Sequence, residues 1–225
     1  MEPISKTFFI IVLIIIIIFL RLEKIGVVLR SLNTLIHELS HGFVAIILGG
    51  RVGKILLNDN ASGSCSTTVK GSFKSFLISI SGYTLSALFS YSLFLLIDKS
   101  FSKYVFYFLL AISIISLIFW IRNNYGIIWT IVFIGINFSI IMIPKFLNSY
   151  SNYILLIYGL IIGIENLFNS AILVKIAILS PKKAGDATNI AKITKIPSLI
   201  WAIGFLSFSL YIAYLSYKEF YILLN

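Results

Sequence analysis

Apolar residues run in long stretches along nearly the whole chain, separated by short clusters of Gly, Pro, Asn and Lys. A helix needs about 20 apolar residues to cross roughly 30 Å of hydrocarbon. The runs predict spans near residues 5–23, 26–48, 75–97, 103–121, 126–144, 153–179 and 198–217. The expected fold is an all-α polytopic membrane protein of about seven transmembrane helices, with residues 1–225 forming a single membrane-embedded domain. No internal repeat is visible. Lys6 precedes the first run, from Phe8 to Leu20, but Arg21, Leu22 and Glu23 follow it instead of a small-residue cleavage site. This reads as a retained first helix and not a signal peptide.

Between the second and third spans the pattern changes. Val52, Ile55 and Leu57 lead into the turn residues Asn58, Asp59 and Asn60, followed by Gly63, Ser64, Cys65, Ser66, Thr67, Thr68 and Val69. Alternation around such a turn predicts a short β-hairpin, and Gly49 and Gly50 fit the stop of the preceding helix. The hairpin reads equally as a plain surface turn or as an edge strand that an extended substrate can join. In the third span Gly82, Ser86 and Ser90 recur every four residues, a small-residue stripe explained by close helix packing.

Composition agrees with a bilayer protein: 59% of residues are hydrophobic and 12% charged, and mean hydropathy is +1.03. The net charge of +10 comes from 18 Lys and Arg scattered between apolar runs, with Lys182 and Lys183 the one adjacent pair. That distribution suits lipid head groups and argues against nucleic acid as a partner. With seven spans, the positive-inside rule favours a cytoplasmic N-terminus. The Ile-, Lys- and Asn-rich composition suits a bacterium with an AT-rich genome, hence a multi-pass protein of the bacterial cytoplasmic membrane. Cys65 is the single cysteine, which excludes an intrachain disulfide, a redox pair and a Cys-based zinc site.

The segment His37-Glu38-Leu39-Ser40-His41 is an H-E-x-x-H motif inside a helical run, and its two histidines are the only two in the chain. Four residues turn an α-helix by about 400°, so both imidazoles project from one face and can grip one metal ion. Glu38, on an adjacent face, is suited to take a proton from the attacking water and pass it to the leaving amine. Chance produces such an arrangement of two histidines and one acid about once in a few thousand trials. The expected activity is zinc-dependent peptide-bond hydrolysis, with one zinc ion and a membrane protein or peptide as substrate. The rival is a non-enzymatic metal-binding membrane protein, a carrier or an assembly factor. Against a carrier, paired interrupted helices in two halves are not evident.

Catalytic zinc takes three protein ligands, and no third histidine exists. The other acids are Glu2, Glu23, Asp59, Asp98, Glu165, Asp186 and Glu219. Glu2, Glu23 and Glu219 fall at span edges or termini, Asp59 in the hairpin turn and Asp98 beside Lys99. Glu165 sits mid-helix among apolar residues, with Asn166 and Asn169 nearby, and marks a polar spot inside the membrane. Asp186 follows Pro181 and Gly185 and also fits the start of a short helix. Ligand chemistry alone leaves Glu165 and Asp186 open.

The chain resembles the site-2 protease family of intramembrane zinc metalloproteases, in a compact bacterial branch. The resemblance rests on His37-Glu38-Leu39-Ser40-His41, the exit Gly49-Gly50-Arg51-Val52 into a hairpin, Gly82-Tyr83 opening the next span, and Gly185-Asp186-Ala187 ahead of a last span starting near Pro197. It implies that His37, His41 and Asp186 bind zinc and that Glu38 activates water to cleave a transmembrane segment. His41 lies seven residues before Leu48, about 10 Å inside the span. Asp186 must therefore dip inward, with Pro181 and Gly185 permitting re-entry.

Overall fold

The computed structural model describes residues 6–97 and 101–223; Glu2, Asp98 and the start of the first expected span lie outside them. Eight α-helices and one hairpin follow in the order α1 (Lys6–Arg21), α2 (Glu23–Ile47), β1 (Arg51–Leu57), β2 (Gly63–Thr68), α3 (Ser72–Leu95), α4 (Ser102–Phe119), α5 (Asn124–Met142), α6 (Ser151–Leu179), α7 (Gly185–Thr194) and α8 (Ser198–Leu223). A π-helical turn leads into α6, and a 3-10 turn at Pro181–Lys183 separates α6 from α7. Five helices, α3, α4, α5, α6 with its leading turn, and α8, are long and apolar enough to cross a membrane. Large apolar side chains such as Phe108, Ile118, Ile128, Ile131, Ile203 and Tyr211 are exposed on them, an arrangement that hydrocarbon tolerates and water does not.

About seven crossings were expected, and the difference lies in the first two helices. α1 is shorter, apolar only over Thr7–Arg21, and α2 carries Glu23, Lys24 and Arg30 besides the H-E-x-x-H motif. Direction matters as well as length. Asn33 pairs with Ser86 and His41 with Ile78, so α2 runs opposite to α3. Tyr83 pairs with Asn166 and Ser90 with Gly159, so α3 runs opposite to α6. α2 and α6 therefore share one sense. Phe8 meets Tyr153, and Arg21 meets Glu165, so α1 runs in that sense too. The chain does not reverse between α1 and α2; Leu22 joins them, and a Cβ at Gly26 would lie 2.5 Å from the Leu20 carbonyl. Phe9 stacks on Phe220 with ring centroids 3.9 Å apart, which brings the start of α1 and the end of α8 to the same end of the bundle.

The hairpin forms where the sequence places it. Gly49, at φ +75°, ends α2, and the Gly50 N–H donates to the Ala45 carbonyl at 2.8 Å. Residues 58–62 form the turn, held by the Asn58 N–H on the Ser62 carbonyl and by the Asn58 side chain on the Ser62 hydroxyl. β1 and β2 pair antiparallel with Ile55 opposite Cys65 and Leu57 opposite Gly63. The hairpin folds back along α2: Gly50 lies at Ala45, Val52 and Cys65 at Gly42, and Gly63 at Thr34 and Glu38. One buried cluster joins α2, the hairpin and α3 to α6, with Leu35, Ile55, Leu57 and Leu156 among its fully enclosed side chains. A second cluster, of Leu173, Ala177, Ala187, Ile190 and Phe205, fixes α7 between α6 and α8.

Candidate metal centre

The α2 helix presents His37 and His41 on one face, and α7 brings Asp186 to them. The two Nε2 atoms are 3.1 Å apart, and Asp186 Oδ2 is 3.3 Å from each. A tetrahedral centre with bonds of about 2.0–2.1 Å spaces its ligand atoms about 3.3–3.4 Å apart, so this triangle has the size that zinc requires. The protonation pattern points the same way. His41 Nδ1 lies 2.6 Å from the Ile78 carbonyl, which only accepts, so Nδ1 carries the proton and Nε2 offers its lone pair. Lone pairs converging on one point with a carboxylate repel one another unless a cation lies among them.

Local sequence explains how Asp186 arrives. Pro181 starts a 3-10 turn after α6, and Gly185, at φ +42°, opens α7. Asp186 thus enters the first helical turn and faces back into the bundle. The Thr188 and Ser198 hydroxyls both donate to the Pro181 carbonyl, at 2.6 and 3.1 Å, which ties the re-entrant segment down at both ends. Glu165 is held elsewhere: it is buried in an ion pair with Arg21, whose guanidinium also lies 4.1 Å from the Phe168 ring centroid. Asp59 and Glu23 are exposed, and Glu219 accepts a hydrogen bond from the Tyr91 hydroxyl at 3.4 Å. Among the described residues, His37, His41 and Asp186 form the one group of three potential ligands close enough to share an ion.

Glu38 is buried beside the histidines and lines a cavity of about 400 Å³ together with Thr34, Cys65, Tyr83, Asn169 and Asn189. Two glycines leave the space it occupies. A Cβ at Gly82 would fall 2.5 Å from both His37 Nε2 and His41 Nε2, and one at Gly63 would fall 2.7 Å from Glu38 Oε1. The stripe of Gly82, Ser86 and Ser90 is therefore more than packing: Ser86 donates to Asn33 and Ser90 to Gly159, while Gly82 clears room for the histidines. Sequence reasoning assigned Gly82 no place at the site and gave Tyr83 no role. The only signal was their succession at the centre of α3.

The hairpin turns one open edge toward this cavity. The Ile55 N–H donates to the Trp120 carbonyl at 2.8 Å, and the Ile55 carbonyl accepts from the Arg122 N–H at 3.2 Å. Both Ile55 groups thus point away from β2, so the facing Cys65 also turns its N–H and C=O outward. Asn123 repeats the pattern by bonding both backbone groups of Leu57, which leaves the backbone of Gly63 pointing outward too. β1 is covered by residues 120–123, whereas no strand among the described residues pairs with the outer edge of β2. Burial pushes the Cys65 thiol up to about 12, with the charges of Glu38 and Asp186 adding to the effect.

A family model described as Peptidase M50B-like matches residues 10–216. No curated protein matches the chain, and no solved structure does. The match spans the motif helix, the hairpin, the re-entrant segment with Asp186 and most of α8. With its five apolar helices, the chain is an integral, multi-pass membrane protein that belongs to the M50B-like peptidases of the site-2 protease family.

Proposed function

We propose that this protein is an intramembrane zinc metalloprotease that hydrolyses peptide bonds in or near the transmembrane segments of membrane protein or peptide substrates. The observation that carries the reading is the convergence of His37, His41 and Asp186 beside a buried Glu38 in one polar cavity. Those three residues would hold one zinc ion, which supplies Lewis acidity and lowers the pKa of a water ligand to about 7. Glu38 takes the proton released by the attacking water and delivers it to the leaving amine. His41, fixed through the Ile78 carbonyl, keeps its Nε2 directed at the centre throughout.

A helix buries its carbonyls in hydrogen bonds, so a substrate span must unwind before attack. The outward N–H and C=O groups of Gly63 and Cys65 give the unwound segment a strand to pair with, directly over Glu38. α1 and α2 are read as one interrupted crossing, which with the five long helices makes six in place of the seven expected. The hairpin, Lys182, Lys183, Lys192 and Lys195 then share one side of the membrane, and positive charge makes that side cytoplasmic. The N-terminus falls on the other side, opposite to the seven-span expectation. The bacterial cytoplasmic membrane is the proposed location.

The test is cleavage of a single-span peptide co-reconstituted in lipid vesicles with wild-type protein or Glu38→Gln. Cleavage by wild type and a loss of at least about a hundredfold in Glu38→Gln is the expected result. Equal rates for the two proteins would refute the proposed base. Equally fast cleavage of a soluble peptide lacking any span would mark a surface peptidase, and metal-loaded protein that cleaves nothing would mark the non-enzymatic carrier or assembly factor.

A further inference from the structure

We infer that Tyr83 is a further catalytic residue, whose phenol donates a hydrogen bond to the oxygen of the scissile carbonyl as that oxygen gains negative charge. The inference rests on the protease reading and deepens it. Tyr83 follows Gly82 on α3, so its ring lies immediately beside the space that Gly82 clears for the histidines. The ring stands edge-on to His37, with centroids 4.7 Å apart and an interplanar angle of 86°. On its other side it stacks against Phe205 of α8 at 4.9 Å and 27°. Its carbonyl accepts from Asn166 Nδ2 at 3.1 Å, and Asn166 is held in turn by the Ser209 hydroxyl at 2.7 Å. Both the ring and the backbone of Tyr83 are thus fixed by neighbours on three helices.

The hydroxyl is not needed for any of these contacts. It has no hydrogen-bond partner among the described residues, and Tyr83 lines the cavity that holds His37, Glu38 and Asp186. Tyr83 is half-buried in the cavity wall, so a phenol held by its ring and backbone, with its hydroxyl unpaired, is a donor available to a bound substrate. On the α2 wall the Thr34 hydroxyl is engaged, donating to the Ala61 carbonyl at 2.8 Å, while Asn33 accepts from Ser86 through its Oδ1 at 2.5 Å. Glu38 handles protons on the attacking and leaving groups and has none to offer the carbonyl oxygen. Tyr83 supplies that donor and keeps its own proton throughout. Donors already fixed where charge develops stabilise the transition state without reorganising.

The test compares two zinc-directed ligands on the full-length protein in detergent, using wild type, Tyr83→Phe and Asn169→Ala. One is a phosphinic peptide, which carries the charged tetrahedral oxygens of the transition state, and the other is a simple thiol, which carries no such oxygen. Tyr83→Phe is expected to bind the phosphinic peptide about 10–100-fold more weakly, since such analogues report transition-state binding. Its zinc content and thiol affinity should match wild type, as the ring packing is retained. Unchanged phosphinic affinity in Tyr83→Phe would overturn the inference, and so would a loss confined to Asn169→Ala. Wild-type protein that takes the thiol but no phosphinic peptide would overturn the protease reading and the role of Tyr83 with it, an outcome visible without any substitution.

Discussion

At the scale of single residues, the site depends as much on missing atoms as on ligands. A methyl group at residue 82 would stand 2.5 Å from His37 Cε1, His37 Nε2 and His41 Nε2, so the imidazoles would have to leave their ligand positions to make room for it. Gly82→Ala is expected to lower zinc affinity by about 10–100-fold, as displaced ligand supports do elsewhere. Metal titration with a competing chelator reads this directly, and wild-type affinity in that variant would contradict the packing argument. Cys65 gives a second check. With its thiol at about 12, against about 8.5 for a free cysteine, its thiolate at neutral pH is roughly a thousandfold scarcer. Iodoacetamide should therefore alkylate metal-free protein far more slowly than an exposed thiol until the pH approaches 12, and fast labelling at pH 8 would rule out the half-buried, anion-facing position. His37, Glu38 and His41 were legible in the sequence because helical spacing alone puts them together. Asp186 required the family resemblance, since nothing local tells a re-entrant aspartate from an ordinary helix start. Gly82 and Tyr83 act through contacts between helices, and no spacing within α3 reports those.

Among the elements, the hairpin is the one that ties fold to chemistry. The Thr34 hydroxyl donates to the carbonyl of Ala61, which sits at φ +64°, a conformation costly for a residue with a Cβ. This latch holds the turn one helical step from Glu38 and sets where the β2 edge lies. Thr34→Val, which keeps shape but loses the donor, should leave zinc bound and lower cleavage several-fold, mostly through KM, because it loosens the strand proposed to receive substrate. An unchanged KM would separate the latch from substrate binding. The hairpin itself was legible from Asn58-Asp59-Asn60 between alternating residues. The cover on β1 was not: Arg122, Asn123 and Asn124 read as a polar turn, and only folding brings Asn123 to Leu57 as a one-residue substitute for a strand.

For the whole molecule, the apolar runs located every long helix; five of these are long and apolar enough to cross a membrane, and the proposed sixth crossing joins α1 to α2. Run length says nothing of direction, and α1 and α2 share theirs. Tags fused before α1 and after α8 are expected on one side of the membrane, with a cysteine placed at Asp59 on the other; labelling with an impermeant reagent in a Cys65→Ser background reads all three. Termini on opposite sides would restore an odd number of crossings. Glu165, the polar spot noted mid-helix, joins α6 to the end of α1 through Arg21. Arg21→Ala strands a buried carboxylate, expected to cost about 3–5 kcal/mol, and thermal unfolding in detergent should show the loss while zinc stays bound. The most direct test of the central claim is the metal content of purified wild type, His37→Ala, Asp186→Ala and Glu165→Gln handled identically. Close to one zinc per chain is expected in wild type and Glu165→Gln, and little in the His37 and Asp186 variants. Zinc retained by Asp186→Ala, or none in folded wild type, would contradict that claim.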